Sequence, residues 1–122
     1  MTAAKLDSAA VSVLMPTSTI LPYAASAAPT GYLLCDGAAI SRTTFSDLFG
    51  LIGTTYGVGD GSTTFNIPDL RGRVIAGQDD MGGTSADRLT NQTGGVNGDN
   101  LGATGGAETH TLTASELPQH TH

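Results

Sequence analysis

Apolar positions along the chain follow two periods, separated by long polar stretches. Phe45, Leu48, Phe49 and Ile52 lie at i, i+3, i+4 and i+7, the spacing of one helix face. Thr44, with Asp47 three residues on, has the arrangement of a capping box, and Gly53 offers the left-handed C′ position that ends a helix. Shorter apolar runs read as strands: residues 18–23 with Ile20, Leu21 and Tyr23, residues 32–35 ended by the Asp36-Gly37 turn pair, and residues 74–76. Pro29-Thr30-Gly31 reads as the turn between the first two. The segment TTYGVGDGSTTFNIPDL is too rich in glycine for regular structure. It reads as a shaped loop anchored by Tyr56, Phe65 and Ile67, with Pro68 holding Ile67 extended. At the start of the chain, Leu6, Ala9, Ala10, Val13 and Leu14 fit a short amphipathic helix, one that frays in isolation. An arm packed on a partner chain and a disordered terminus both remain open there.

Beyond Arg73 the pattern changes. Residues 77–106 form a polar run, GQDDMGGTSADRLTNQTGGVNGDNLGATGG, in which Met81, Leu89, Val96 and Leu101 are isolated apolar anchors. Disorder is the compositional default for such a run, and the alternative is a long loop held across a surface, that of another subunit included. Residues 107–122 read as more ordered. Glu108, His110 and Leu112 alternate as in a strand, and Thr113 with Glu116 forms a second capping box, for one helical turn before Pro118. The organisation expected is therefore an arm or helix at 1–15, a small α+β domain at 16–73 with short strands and one main helix, and a glycine-rich, loop-dominated extension at 74–122.

Composition narrows the function. Charged residues are 13% of the 122 and the net charge is −6, so no basic stripe exists to neutralise phosphates, which argues against nucleic acid and anionic membrane surfaces as partners. No apolar run approaches the ~18 residues of a membrane-spanning helix. Ala25-Ser26-Ala27 has the look of a signal-peptide cleavage site, but Asp7, Ser12, Pro16 and Pro22 interrupt the apolar stretch such a peptide needs. Export by lysis or within a particle is expected instead. Seventeen glycines and no tryptophan imply a thin core, which favours completion by oligomerisation. Cys35, the one cysteine, excludes an intrachain disulfide and reads as a small buried hydrophobe beside Leu34 rather than a reactive thiol.

The sharpest chemical signal is His120-Thr121-His122. In an extended segment residues i and i+2 point the same way. Two imidazoles per chain cannot saturate a metal, whereas three chains about an axis supply six. An octahedral nitrogen set suits iron, nickel or cobalt better than zinc. The competing reading is a pair of exposed terminal histidines. His110 stands alone and reads as a surface or hydrogen-bonded residue. Asp79-Asp80 invites a calcium reading but lacks the EF-hand spacing, and Asp69 beside Arg71 and Arg73 suggests a local ion pair. No nucleophile elbow, phosphate loop or H-E-x-x-H motif occurs, and no acid and base are paired, so no enzyme activity is expected.

The run PTGYLLCDG at 29–37, then SRTTF with Leu48-Phe49, IGTTYG at 52–57 and GDGSTTFNIPDLRGR at 59–73, resembles the phage tail-collar domain. That domain occurs in short tail fibres and in the microcystin-dependent proteins of bacteria. The likeness covers about 16–73, and GGAETHTLTASELPQHTH at 105–122 is similar to the segment that follows the collar in such proteins. The resemblance implies a homotrimeric tail-fibre or tail-tip protein of a virion. Its partners would be other tail or baseplate proteins and a host surface glycan or lipopolysaccharide. It also implies a transition metal, iron first, held between chains by His120 and His122 on the three-fold axis. Relatives usually continue into a receptor-binding tip, so a truncated or minimal version is expected. Two other readings are a collar protein of the microcystin-dependent type outside any virion and a metal-dependent glycan-degrading enzyme.

Overall fold

A computed structural model describes residues 15–92 and 95–119. The chain divides into two compact units, Met1–Ile75 and Ala76–His122.

In the first unit, strand β1 (Ala39–Ser41) pairs antiparallel with strand β2 (Thr64–Asn66), and helix α1 (Ser46–Ile52) lies in the excursion between them. The register sets Ile40 opposite Phe65 and extends to an isolated bridge between Asp36 and Asp69. Between the two stand Gly37, at φ 77°, and Pro68, which has no N–H to donate to a ladder. Glycine is required at 37: a Cβ there would sit 3.0 Å from the Cβ of Asp69.

The helix buries the stripe expected of it. Phe45, Leu48, Phe49 and Ile52 are half-buried while Ser46, Asp47, Gly50 and Leu51 are exposed. Gly53 ends the helix at φ 53°, its N–H donating to Phe49 O at 2.8 Å. The expected Thr44–Asp47 cap is not used. The chain leaves β1 through a turn in which Ser41 Oγ accepts the N–H groups of Thr43 and Thr44, at 3.2 and 3.1 Å, and the helix starts after Phe45. Ser41 reaches these donors first because it stands at the strand end from which the turn springs.

Among the described residues, the buried apolar side chains are Phe65 (0% exposed) and Ile67 (5%). Both lie where a loop was expected. Phe65 is in fact central to β2, and burying a phenylalanine contributes about 1.5–3 kcal/mol. Its ring meets Phe49 with centroids 5.0 Å apart and planes tilted by 51°, an arrangement that joins α1 to the ribbon.

Three expected strands are absent. Residues 18–23, 32–35 and 74–76 form none; Ile20, Leu21, Tyr23, Leu33, Leu34, Val74 and Ile75 are exposed. Their composition suits a sheet, but within the described chain no partner strand crosses them. The turn at Pro29-Thr30-Gly31 is present, with Tyr32 N–H donating to Pro29 O at 3.0 Å and Gly31 at φ 87°.

The second unit is built from turns. Gly98 N–H donates to Leu89 O at 2.8 Å and Asp79 N–H to Gly98 O at 2.7 Å, with a bridge between Thr90 and Asn97. Gly98 is buried, and a Cβ there would sit 2.5 Å from that of Leu89. Of the four expected anchors, Leu89 and Val96 are half-buried, while Met81 and Leu101 are exposed. Residues 107–113 form no strand, but a single 3-10 turn, Ala114–Glu116, follows Thr113 as expected. The 1–15 arm lies, but for Met15, outside the described residues.

With so little buried, one side chain carries a large share of the first unit's stability. Phe65→Ala is expected to cost about 3–5 kcal/mol, and urea unfolding followed by circular dichroism should show the helical signal of α1 lost at or near zero denaturant.

Candidate functional site

The polar side chains of the first unit are directed at its own backbone. Arg42, at the exit of β1, donates from Nε to Thr64 O at 2.7 Å and from Nη2 to Val58 O at 3.1 Å. Its Cζ lies 4.7 Å from the centroid of the Phe49 ring, a cation–π contact. One guanidinium thus ties β1, α1, the glycine loop and β2 together. Asn66 does the same from the other strand: its Nδ2 donates to Gly37 O at 3.0 Å, and its Oδ1 accepts from Gly59 N–H at 2.9 Å. The glycines of the loop are dictated by this side chain. A Cβ on Gly57 would fall 2.4 Å from Asn66 Oδ1.

Asp60 closes the loop. Its Oδ1 accepts N–H groups from Ser62, Thr63 and Thr64 at 2.9, 2.7 and 3.0 Å, and the Thr63 hydroxyl bonds to Oδ2. These hydrogen bonds, the Thr63 hydroxyl first, hold the carboxyl well below the usual aspartate range. Asp69 is held low by Arg71, which pairs with it through two bonds of 2.8 Å, Nε to Oδ1 and Nη2 to Oδ2. Arg73 Nη1 donates to Asp69 O at 2.5 Å, so the expected ion pair involves Arg71 and the backbone takes Arg73. Burial raises the Cys35 thiol above its ordinary value, and the charge of Asp36 adds to this, which favours the protonated form.

In the second unit, Gln78, Asp79, Asp80, Arg88 and Leu89 line a shallow concavity of about 550 Å³. Its carboxylates are engaged. Asp79 Oδ2 accepts from Arg88 N–H at 2.9 Å, Leu89 N–H at 3.3 Å and Ser85 Oγ at 3.2 Å; Asp80 Oδ1 accepts from Gln78 Nε2 at 2.8 Å and Gly82 N–H at 2.9 Å. The pair that invited a calcium reading organises the loop. Among the described residues no three His, Cys, Asp or Glu side chains are placed to share a metal ion. His110 is hydrogen-bonded, its Nε2 lying 2.9 Å from Glu116 Oε1, while Glu116 Oε2 accepts Thr113 N–H at 2.6 Å. His120 and His122, the metal candidates, lie outside the described residues. Arg42, Asp60 and Asn66 are the side chains that sequence reasoning left without a role, and Asp79 was read only as a possible calcium ligand. An aspartate followed by Gly-Ser-Thr-Thr, the signature of a side-chain-closed turn, was the available signal for Asp60.

A short ribbon with one helical excursion, its polar groups directed at its own loops, is the build of a structural module. Residues 18–75, just under half of the chain, match the phage tail collar domain. The segment is similar to that family, and the likeness suggests a structural protein of the tail-fibre type. No curated protein matches the chain.

The pH dependence of the collar unit follows from Asp60 and Asp69. Both carboxyls are depressed in the folded state, so their contribution is present above about pH 4, the ordinary aspartate range, and is lost as the pH falls towards their lower folded values. Melting temperature should drop between pH 4 and pH 2. Asp60→Asn, which keeps an accepting oxygen but cannot titrate, should flatten that slope in scanning calorimetry.

Proposed function

We propose that the chain is a structural and adhesive component of a phage tail fibre or tail tip, a homotrimer that attaches the particle to a host surface glycan or lipopolysaccharide. The observation that carries this reading is how little the collar unit buries. Phe65 and Ile67 are its buried apolar side chains among the described residues, while Tyr23, Leu34, Leu51, Val58 and Val74 are exposed. Copies packed about an axis would cover such side chains and supply the missing core. A polar, glycine-rich second unit is suited to many weak contacts, and three linked copies multiply weak affinity by roughly 10²–10⁴. Other tail or baseplate proteins are the partners this assembly would seat on, and the virion tail is its location.

His120 and His122 are proposed as inter-chain metal ligands. The support is the chemistry of the donor set: imidazoles at i and i+2 in three chains make six nitrogens, a set that fits an octahedral transition ion, iron first. The ion would pin the three chains at one level.

Native mass spectrometry of the purified chain tests both parts. A trimer with one metal ion is expected, with His120→Ala and His122→Ala each yielding a metal-free species. A monomer at micromolar concentration overturns the assembly, and a metal-free wild-type trimer overturns the ligand assignment. Binding of the trimer to a lipopolysaccharide and glycan array, absent from a monomeric variant, checks the adhesive role.

A further inference from the structure

The two edges of the β1–β2 ribbon are treated differently. Arg42 N–H donates to Thr63 O and Ile67 N–H to Ala38 O, so residues 38, 40 and 42 direct their peptide groups at β2 while Ala39 and Ser41 direct theirs outward. On the outer edge of β2, three of the four outward backbone groups of Thr64 and Asn66 are engaged within the chain, all but the C=O of Asn66. Thr64 N–H goes to Asp60 Oδ1, Thr64 O receives Arg42 Nε, and Asn66 N–H goes to Gly57 O. On the outer edge of β1, Ser41 O receives Phe45 N–H. The N–H and C=O of Ala39 and the N–H of Ser41 have no partner among the described residues.

The same unit carries a segment with the opposite defect. Val74 and Ile75 are β-branched residues of strand composition, 95% and 65% exposed, and their backbone groups make no hydrogen bond among the described residues. An open edge without a strand and a strand without an edge are complementary. Within one chain the two do not meet. We propose that residues 74 and 75 of a second copy add to the outer edge of β1 as a third strand, with Ile75 opposite Ala39. The inference rests on the assembly proposed above. The contact joins two different surfaces, so it runs head to tail and closes into a ring when the rotation allows, as a trimer does. It supplies backbone hydrogen bonds by strand addition, to a two-stranded ribbon that is marginal in water alone.

Cross-linking in the full chain tests the contact. In a Cys35→Ser background, Ala39→Cys and Ile75→Cys are made in separate chains, both at exposed positions. Opposed residues that exchange hydrogen bonds have Cα atoms about 5.5 Å apart, within disulfide range. Mild oxidation of a mixture of the two is expected to give a disulfide-linked dimer on a non-reducing gel, and either variant alone is expected to give none. A second substitution, Ile75→Pro, removes the N–H without touching the buried core and should weaken association about fivefold to tenfold. A trimer that shows no linked dimer and is indifferent to Ile75→Pro overturns this contact while leaving the trimer intact. A monomer overturns both. Linkage within a single chain carrying both cysteines, without linkage in the mixture, also overturns it.

Discussion

The contact between Phe49 and Phe65, 5.0 Å between ring centroids, is the point at which the first unit becomes a fold. Helix α1 has seven residues, too few to persist alone in water, and β1 and β2 have three residues each. Neither element is stable without the other. The ring of Phe65 gives the helix a surface to cover, and the guanidinium of Arg42 lies 4.7 Å from the centroid of Phe49. Asn66 and Asp60 then fix the loop that returns the chain to β2. Each of these polar groups acts on the backbone, which is how a segment so rich in glycine keeps one conformation: the entropy glycine gives up is offset by hydrogen bonds to fixed side chains.

Local features were legible in the sequence and pairings were not. The apolar stripe of α1, its stop at Gly53, the turn at Gly31, the Asp69–Arg71 pair and the Thr113–Glu116 turn all depend on residues within a few positions of one another. The strands failed because a strand is defined by what lies across from it. Leu33 and Leu34 have the composition of a strand but no partner strand among the described residues, whereas Ala39-Ile40-Ser41, without that composition, pairs with residues far away in sequence. Phe65 was recognised as an anchor but placed in a loop for the same reason. The helix cap was misassigned because Ser41, earlier in the chain, takes the N–H of Thr44, and the helix starts after Phe45 with no side-chain cap. The roles of Arg42 and Asn66 could not be read at all, since their acceptors are 22 and 29 residues distant. The histidine pair was legible as a motif, and its meaning depends on other chains.

The tail-fibre reading draws its strength from this economy. Among the described residues, Phe65 and Ile67 are the buried apolar side chains of this unit, the helix stripe is half-buried, and Tyr23, Leu34, Leu51, Val58 and Val74 face outward, a surface that suits the proposed packing of several copies. The second unit agrees with this in its own way: Asp79 and Gly98 hold its turns in place, while Met81, Leu101, Leu112 and Leu117 are left outside. Adhesion by many copies of a modest surface asks for rigidity and repetition in the fold, and both can be had without a large core in each chain.

The central claim is that folding of the collar unit is coupled to assembly. The most direct measurement is thermal unfolding of the intact chain across a hundredfold range of protein concentration. Coupling predicts a melting temperature that climbs with concentration, because association draws on the folded chain alone. A sharp transition at one temperature throughout that range, from a species of monomer mass, would contradict the account.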